Sequence, residues 1–410
     1  MAIVKPFRAV RPKKDKVSAV VSLSYEAYEP QELEGILKNN PFSFLNIIKP
    51  SFENNSKISR KKRFQKVRNQ YGEFIKKDIL IQDNSPCFYL YKVMKNEAFA
   101  LGVFCATSVH DYQKNVIKKH EATLEKREKL FANYLKAVGY NAEPVLMTYP
   151  DTKEINELFI DESDKPAKYE FTTSDGVVHK VWCISDAKKI RKITYEFSKV
   201  PSIYIADGHH RSASSSLLAE TLKKTETHHT GKENYNFFMS YLIPESQVKI
   251  YEFTRMVKDL NNLALEEFLK HLNTFYHIQK KDDVFTPVEK HNFSMYLAGD
   301  FYSLQLRKEA YHFKDALSEL DTQILYKTIL EPILGISDLR NDKRISYGHG
   351  KFNLMTMKNR IDTGQFAVGF SMLPITIDEI KAIADAGLVM PPKSTYIQPK
   401  LRSGLTIYEL

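Results

Sequence analysis

The chain has 410 residues, of which 43% are hydrophobic and 27% charged, and its formal net charge is +10. This length exceeds one typical domain, and the composition is that of a globular protein rather than of a disordered or fibrous one. No secretory signal and no run of roughly 18 apolar residues is visible, which argues against export or a membrane partner. Three cysteines without metal-ligand spacing, Cys87, Cys105 and Cys183, predict buried thiols in a cytoplasmic protein.

Residues 1–150 are predicted to alternate short strands with helices, because apolar runs and amphipathic stretches follow one another. Lys95-Asn96-Glu97 would turn one strand pair into a hairpin. The predicted strands are 17–24, 42–48, 87–93, 98–108 and 144–149, and the predicted helices are 30–39, 56–77 and 115–138.

The remainder of the chain mixes strands and helices less regularly. A hairpin is predicted around Ser174-Asp175-Gly176, and a final helix over 377–386. Other predicted strands are 202–206, 237–243 and 365–373, and other predicted helices are 186–197, 212–224 and 313–334. The pattern predicts an α+β fold with mixed sheets. We expect three parts, residues 1–150, 151–245 and 246–410, which could form one intertwined unit.

The densest candidate site is Asp207-Gly208-His209-His210-Arg211, which joins an apolar strand to a helix of small residues. A strand, a glycine turn and a helix N-terminus together form a common phosphate-binding geometry. Gly208 permits an unusual backbone conformation, Ser212 is predicted to cap the helix, and Arg211 offers a planar fork to phosphate oxygens. Asp207 could accept a substrate hydroxyl or hold Mg²⁺. The alternative is a turn whose charges pair with one another.

A second candidate is Lys119-His120-Glu121-Ala122-Thr123, with Arg127 beyond it. On a helix, His120, Thr123 and Arg127 would share roughly one face. His120 beside Glu121 could form an acid–base pair. An ordinary charged helix surface is the alternative.

Two further segments combine positively charged side chains with hydroxyl groups or glycines of the kind found at ligand-binding sites. Pro391 and Pro392 stiffen the approach to Lys393, Ser394 and Thr395, which would suit a phosphate or carboxylate. Residues 338–351 place His349 between two glycines, beside Arg340, Asp342, Arg344 and Tyr347. A packed C-terminal tail and an ion-paired hairpin are the respective alternatives.

Much of the excess positive charge lies in residues 57–77, in Arg60, Lys61, Lys62, Arg63, Lys66, Arg68, Lys76 and Lys77. One interpretation is a surface for nucleic acid or an acidic partner. The other is a solvated helix face, since Phe64, Val67, Tyr71 and Phe74 recur at helical spacing. A basic balance also suits an anionic small-molecule substrate.

Together, the IADGHHR, KHEAT and MPPKSTYIQPK segments and the opening Lys5-Pro6-Phe7-Arg8 resemble domain-of-unknown-function family 1015. The resemblance runs from Pro6 to Leu405. Where the family commonly has Pro-Pro-Tyr-Asp, this chain has Leu23-Ser24-Tyr25-Glu26. The family's acid therefore becomes Glu26, with a longer reach.

The DGHHR turn also resembles the phosphate-binding turn of the ParB/sulfiredoxin-like superfamily, which includes nucleotide-binding switches and free-serine kinases. The resemblance implies a ParB-like core in which Gly208, His209, His210 and Arg211 hold nucleotide phosphates. The turn lacks the cysteine of a sulfiredoxin-like reductase, and the family's genes often lie beside phosphoserine-pathway genes, which favours the kinase branch.

These observations predict a phosphotransferase that uses ATP or ADP with Mg²⁺ and acts on serine or a similar hydroxy acid. Glu26 or Asp207 would accept the hydroxyl proton, if within about 3 Å of it. Arg8, Tyr25, Thr123, Arg127, Lys393, Ser394 and Thr395 would contact the substrate or close the pocket. The alternatives are a nucleotide-responsive regulator that binds nucleic acid or protein, and a Mg²⁺-dependent nuclease. The oligomeric state is left open.

Overall fold

A computed structural model describes residues 2–49, 58–96, 98–349 and 353–410. Residues Ser56 and Lys57 of the predicted basic helix lie outside the described residues, as do Glu97 and the end of the 338–351 segment. The chain forms two compact units. Unit 1 comprises Met1–Lys119, Thr123–Val248 and Pro399–Leu410, and unit 2 comprises His120–Ala122 and Lys249–Gln398.

The helices and strands confirm the predicted α+β class, with 36% of the residues helical and 27% in strands. Helices α1 to α13 are, in chain order, Val17–Val20, Pro30–Asn39, Leu45–Ile48, Arg60–Lys76, Val109–Gln113, Glu125–Val138, Lys153–Ser163, Ala187–Lys199, His209–Thr225, Leu265–Phe275, Asp321–Leu325, Asn353–Asp362 and Ile377–Asp385. Short 3-10 helices occupy Tyr25–Ala27, Asn234–Asn236 and Glu245–Gln247, and a π-helical turn, Tyr326–Leu330, continues α11.

The strands are short except near the centre of the larger sheet. Strands β1 to β21 are, in chain order, Val4–Lys5, Val10–Pro12, Leu80–Gln82, Phe88–Lys95, Ala98–Ser108, Ile117–Lys118, Tyr140–Asn141, Val145–Tyr149, Tyr169–Thr172, Val178–Ile184, Ile203–Asp207, Phe237–Pro244, Lys249–Tyr251, Phe253–Val257, Tyr276–Lys281, Asn292–Leu297, Asp300–Leu306, Ile345–His349, Val368–Ser371, Tyr396–Gln398 and Tyr408–Glu409.

Unit 1 is built on a nine-stranded mixed sheet of order β6-β11-β8-β12-β5-β4-β10-β9, with β1 paired to β5. The central strand β12 runs parallel to β8 and antiparallel to β5. Every residue of β12 is buried, as expected for a strand covered on both faces. The sheet takes strands from both residues 1–150 and residues 151–245. The three-part division of the sequence stays a prediction.

Unit 2 contains a six-stranded antiparallel sheet of order β15-β17-β16-β19-β14-β18 and a separate two-stranded ladder of β13 with β20. Helix α10 buries Phe268 and Leu272 against this sheet, and the α11 segment adds Ile324 and Leu325 to the same core. Apolar residues four apart on a helix share one face, so a single stripe of α10 covers the sheet.

Several predicted elements are confirmed. The predicted helix over 30–39 coincides with α2, and the strand pair over 87–108 forms the antiparallel β4–β5 ladder. The predicted hairpin near Asp175 forms from β9 and β10. Asp186 caps α8 by accepting from the N–H groups of Lys188 and Lys189.

Other predicted elements are wrong, each because tertiary packing overrides local preference. The predicted strands at 17–24 and 42–48 contain the short helices α1 and α3, whose residues Val20 and Ile47 are buried in one core with Phe44. The predicted helix over 115–138 begins only at Glu125, since Ile117 pairs with Ile203 as part of β6. The helix predicted over 313–334 is restricted to α11 and the π-helical turn after it.

Candidate functional site

The strand–glycine–helix junction of unit 1 is formed by β11, Gly208 and α9. Gly208 is the N-cap of α9, with a φ of 109° that favours glycine. A Cβ atom at this position would lie 3.0 Å from Nε of Arg211. The backbone conformation therefore favours glycine, and a side chain here would displace the guanidinium group that folds back over it.

Helix α9 begins at His209, three residues earlier than predicted, so the prediction that Ser212 caps the helix is wrong. The left-handed Gly208 already turns the chain into the helix, and the N–H groups of Arg211 and Ser212 both donate to its carbonyl. Ser212 is fully buried in the second turn, where its hydroxyl also donates to the Gly208 carbonyl at 3.3 Å. Ser212 thus stabilises the first turn of α9 by a hydrogen bond inside the helix rather than by capping it.

Two cations surround the carboxylate of Asp207. Arg211 Nη2 lies 3.1 Å from Asp207 Oδ2, and Lys400 Nζ lies 3.8 Å from the same oxygen. Arg211 also donates to the backbone carbonyl of Pro144. The predicted alternative, in which the charges of this turn pair with one another, therefore describes Asp207 and Arg211 as they stand. Both cations lie at the positive end of the α9 dipole, where an anion is stabilised.

The paired histidines have different surroundings, because successive helix residues point about 100° apart. His209 is buried, whereas His210 Nε2 accepts a hydrogen bond of 3.1 Å from the backbone N–H of Leu124. Leu124 is the N-cap of α6. The bond therefore joins the N-terminal ends of α6 and α9, which are the positive ends of both helix dipoles.

Glu26 reaches the first turn of α6 from the 3-10 helix near the start of the chain. Arg127 Nη2 lies 3.9 Å from Glu26 Oε1, and the Tyr25 hydroxyl donates to that oxygen at 3.3 Å. Lys49 Nζ stands 4.4 Å from the centroid of the Tyr25 ring. Burial, followed by the nearby Glu26 charge, raises the pKa of Tyr25. Because Glu26 itself is exposed, its carboxylate is accessible to solvent and ligands.

Two other residues predicted for unit 1 make local contacts. The hydroxyl of Thr123 donates to Glu128 in the first turn of α6. Arg8 Nε donates to the Asp83 carbonyl at 3.0 Å, and its Nη2 donates to Gln82 Oε1 at 3.1 Å. Arg8 therefore supports the turn that follows β3.

The prediction that His120, Thr123 and Arg127 share a helix face is wrong. His120 and Glu121 precede α6 and belong to unit 2, whereas Thr123 and Arg127 belong to unit 1. The segment between β6, which ends at Lys118, and α6, which begins at Glu125, contains no helix, and the His120 carbonyl accepts from the N–H of Met390 at 2.9 Å. The acid–base role of His120 and Glu121 stays a prediction.

The predicted Lys393, Ser394 and Thr395 also lie in unit 2. Ser394 is buried, and its hydroxyl donates to the Pro391 carbonyl at 2.7 Å and to Thr322 Oγ1 at 3.2 Å. Lys393 is exposed at the preceding position. The buried Ser394 side chain thus stabilises the turn, and Lys393 remains at the surface.

Lys400 was not predicted as a site residue, and neither were Arg402 and Ser403, which hold the segment around it. Two residues after Lys400, Arg402 Nη2 donates to Asp175 at 2.6 and 2.8 Å, and Ser403 donates to Glu143 at 3.0 Å. These contacts anchor the end of the chain to unit 1. The sequence indicated Lys400 only through its position in the MPPKSTYIQPK segment. Its contact with Asp207 could not be predicted, because the two residues are far apart in the sequence.

The described residues contain no group of three His, Cys, Asp or Glu side chains arranged to hold a metal ion. Within the same part of the chain, every helix is either too short or too polar to cross a lipid bilayer.

Unit 1 thus defines an α+β protein with a cationic helix terminus and an adjacent exposed carboxylate. The chain belongs to the family described as protein of unknown function (DUF1015), whose model matches residues 4–323. The expected family resemblance is confirmed. No curated protein matches the sequence significantly.

Solved structures are similar at low scores. A free serine kinase in complex with AMP has a TM-score of 0.36 and 13% identity, over 74% of this chain and 91% of its own. SbnI with a C-terminal truncation, from Staphylococcus aureus, has a TM-score of 0.37 and 12% identity, over 74% and 87%. A conserved hypothetical protein from Pyrococcus furiosus has a TM-score of 0.33 and 14% identity, over 74% and 95%.

Proposed function

We propose that the protein is a small-molecule phosphotransferase that transfers a phosphoryl group from ATP or ADP to serine or a similar hydroxy acid. The observation that carries this proposal is the junction of α6 and α9 in unit 1. The hydrogen bond from Leu124 to His210 joins two helix N-termini, and Arg127 in the first turn of α6 contacts the exposed carboxylate of Glu26. In this proposal the positive helix ends bind the phosphates, and the carboxylate that accepts the proton lies on an element in contact with α6.

The phosphates of the nucleotide would bind at the start of α9. The helix dipole, Arg211 and Lys400 supply positive charge there, and Gly208 carries no side chain that would block the approach. Phosphoryl transfer is catalysed mainly by positioning and by neutralising charge, so such an arrangement supplies what the reaction needs. The role of His210 is to hold the two helix ends together.

Glu26 is the better candidate for the general base. Asp207 already accepts from Arg211 and lies near Lys400, and two cations make a carboxylate a poorer proton acceptor. In the proposed reaction the acceptor hydroxyl oxygen bonds to the terminal phosphorus while Glu26 takes its proton. The bond between that phosphorus and the bridging oxygen breaks, which leaves a nucleotide one phosphate shorter.

Mg²⁺ bound to the nucleotide would neutralise charge on the phosphate oxygens. Asp207 is the carboxylate at the start of α9 that could reach such an ion. The Asp207 carboxylate would then contact the ion as well as Arg211 and Lys400, and these two cations would also contact the phosphates.

The test is to incubate the purified full chain with L-serine, Mg²⁺ and either ATP or ADP, and to follow phosphoserine by ³¹P NMR. Phosphoserine formation with one nucleotide supports the proposal and identifies the donor. If both nucleotides bind and neither yields phosphoserine, the serine assignment is wrong, and other hydroxy acids replace it in the same assay. If neither nucleotide binds, the phosphate site is wrong as well.

Glu26→Gln separates binding from chemistry. Removal of a general base lowers kcat by roughly 10²- to 10⁴-fold, whereas nucleotide affinity should change little. Glu29→Gln is the matched control, because Glu29 is an exposed glutamate three residues away without contact to Arg127. Equal activities of the two variants would exclude Glu26 as the base.

A second candidate function is a nucleotide-responsive regulator that binds nucleic acid. It is favoured by the first two turns of α4, where Arg60, Lys61, Lys62, Arg63 and Lys66 are exposed while Val67, Tyr71 and Phe74 are buried. The test is DNA and RNA binding at 50 and 200 mM salt, where several phosphate contacts would weaken affinity steeply. Absence of binding at 50 mM would exclude it.

A further inference from the structure

We infer that unit 2 carries a binding site for an oxyanion, a phosphate or a carboxylate group, formed by Lys393 and Arg255 beside the aromatic side chains of β14, β18 and β20. The inference goes beyond the proposed reaction. It concerns unit 2 alone and needs no phosphoryl transfer. The site combines a buried positive charge, an exposed positive charge and a turn of unusual backbone conformation.

Arg255 is the buried charge. It lies on β14 with 2% of its surface exposed, and burial lowers the pKa of its guanidinium to about 10. Its hydrogen bonds run from Nη1 to the Phe253 carbonyl at 2.5 Å and from Nη2 to the Lys393 carbonyl at 3.1 Å, with a further contact to Met372. Within the described residues no carboxylate forms an ion pair with it. A buried charge compensated only by dipoles is unfavourable.

The Lys393 turn is the exposed part. Lys393 has a φ of 59°, a left-handed conformation that few residues other than glycine adopt. Pro391 and Pro392 precede it, and the Ser394 hydroxyl closes the turn on the Pro391 carbonyl. Backbone strain of this kind is common at ligand-binding positions. The turn holds its carbonyl on Arg255 and keeps the Lys393 ammonium at the surface.

Aromatic rings form the wall beside these two cations. Lys393 Nζ stands 5.4 Å from the centroid of Phe253, and the Arg255 guanidinium carbon stands 5.9 Å from that of Tyr347. His349 and Tyr396 stack with centroids 4.3 Å apart and an interplanar angle of 11°. Ring faces beside an ammonium lower the local dielectric relative to open solvent, so an oxyanion at Lys393 would interact with it more strongly than at a bare surface lysine.

The charges identify the class of ligand. Lys393 carries one positive charge and Arg255, which holds the Lys393 carbonyl, carries the other. Glu252, which directly precedes Phe253, is the acidic residue whose charge acts on Arg255. An oxyanion paired with Lys393 would add negative charge beside the turn whose carbonyl Arg255 holds. A phosphate and a carboxylate share this chemistry, and they are distinguished by separate titrations.

The experiment follows the methyl signal of Met372 in full-length protein labelled with [¹³C-methyl]methionine. Met372 Sδ lies 3.7 Å from Arg255 Nη1, so its methyl group reports on this site. Met372→Leu assigns the signal. We expect a saturable shift on addition of inorganic phosphate, acetate or both, and the effective anion identifies the ligand group. No shift with either anion would overturn the inference.

Lys393→Gln should weaken the affinity about tenfold or more, because a charge-assisted contact is lost. Lys270→Gln, an exposed lysine on the outer side of α10, is the matched control and should change nothing. An unchanged affinity in Lys393→Gln would overturn the site even if phosphate binds elsewhere. Arg255→Met provides a second readout, since it should abolish anion-dependent thermal stabilisation of unit 2.

Arg211→Gln separates this site from the proposed phosphotransferase site. It should weaken nucleotide binding in unit 1 and leave the Met372 response to phosphate intact. If the Met372 response disappears in Arg211→Gln but persists in Lys393→Gln, the oxyanion binds in unit 1 and the inference fails. If enzyme assays fail but the Met372 response behaves as expected, only the proposed function is lost.

Discussion

The backbone N–H of Leu124 donates to Nε2 of His210 at 3.1 Å, although the two residues are 86 positions apart in the sequence. This bond satisfies one of the donors that every helix leaves without an intrahelical partner at its start. It also brings together the positive ends of α6 and α9, which repel each other unless negative charge is nearby. Glu26 supplies such charge beside Arg127, and a bound phosphate would supply more.

Replacement of His210 tests this junction. His210→Ala removes the acceptor and should lower the free energy of unfolding by about 1 kcal/mol, the usual effect of losing a helix cap. It should also weaken nucleotide binding, because the start of α6 is no longer held at α9. Both effects are measured by urea unfolding and calorimetry. His228→Ala alters an exposed histidine in a loop and should leave both quantities unchanged.

Gly208→Ala should weaken nucleotide binding more than the addition of one methyl group would suggest. The left-handed conformation disfavours any side chain, and the new Cβ would lie 3.0 Å from the Arg211 guanidinium. We expect a loss of roughly 1–3 kcal/mol of stability together with weaker nucleotide binding, as Arg211 is pushed from Asp207.

Gly72→Ala is the matched control for that substitution. Gly72 lies inside α4, where nothing would contact a new Cβ within 4 Å. Alanine there should stabilise the protein by roughly 0.5–1 kcal/mol. If Gly208→Ala is equally harmless, neither the left-handed backbone nor the Arg211 contact constrains the site.

Local patterns were enough to predict many elements. The helix over 30–39 and the β4–β5 and β9–β10 pairs depend on apolar periodicity and turn residues that lie within each segment. The Asp207–Arg211 contact corresponds to the alternative interpretation of that turn, in which its charges pair with one another, because strand, glycine and arginine lie within one short stretch.

Contacts between distant segments could not be predicted in this way. The pairing of Ile117 with Ile203 keeps residues before Glu125 out of a helix, and only the sheet determines that pairing. Lys400 reaches Asp207 because Arg402 is anchored on Asp175, a relation that no local pattern encodes. The buried Arg255 likewise gave no signal, since a single arginine in an apolar run has no periodicity.

His179 should make unit 1 sensitive to acid. It is fully buried between Tyr91 and Thr173, and burial, together with the Arg402 charge, lowers its pKa to about 3. The unfolded chain then binds the extra proton between pH 6.5 and pH 3, so stability falls as the pH falls through that window. From pH 7 to pH 5 this residue alone should remove about 2 kcal/mol.

The single tryptophan, Trp182, lies on the same strand as His179, so its fluorescence reports the urea unfolding of unit 1. His179→Gln should abolish the part of the acid sensitivity that this residue causes. His271→Gln, at an exposed position in unit 2, should keep it. An identical pH dependence in wild type and His179→Gln would contradict the assignment.

Asp321 should make unit 2 sensitive to pH with the opposite sign. Its side chain is buried and accepts from the N–H of His291 at 2.9 Å, and burial raises its pKa to about 7. The nearby Glu379, which is paired with Lys290, adds to this effect. The folded form therefore holds a proton that the unfolded form loses above pH 3.8, so stability falls as the pH rises from 4 through 7.

Asp321→Asn keeps an oxygen that can accept from His291 and removes the charge. We expect it to stabilise unit 2 at pH 8 by on the order of 4 kcal/mol and to have little effect at pH 4. Hydrogen exchange of the amides in α11 measures the difference. Asp283→Asn, an exposed aspartate in the same unit, should show no such pH-dependent gain. If Asp321→Asn stabilises unit 2 equally at pH 4 and pH 8, the effect comes from packing and not from ionisation of Asp321, and the prediction is wrong.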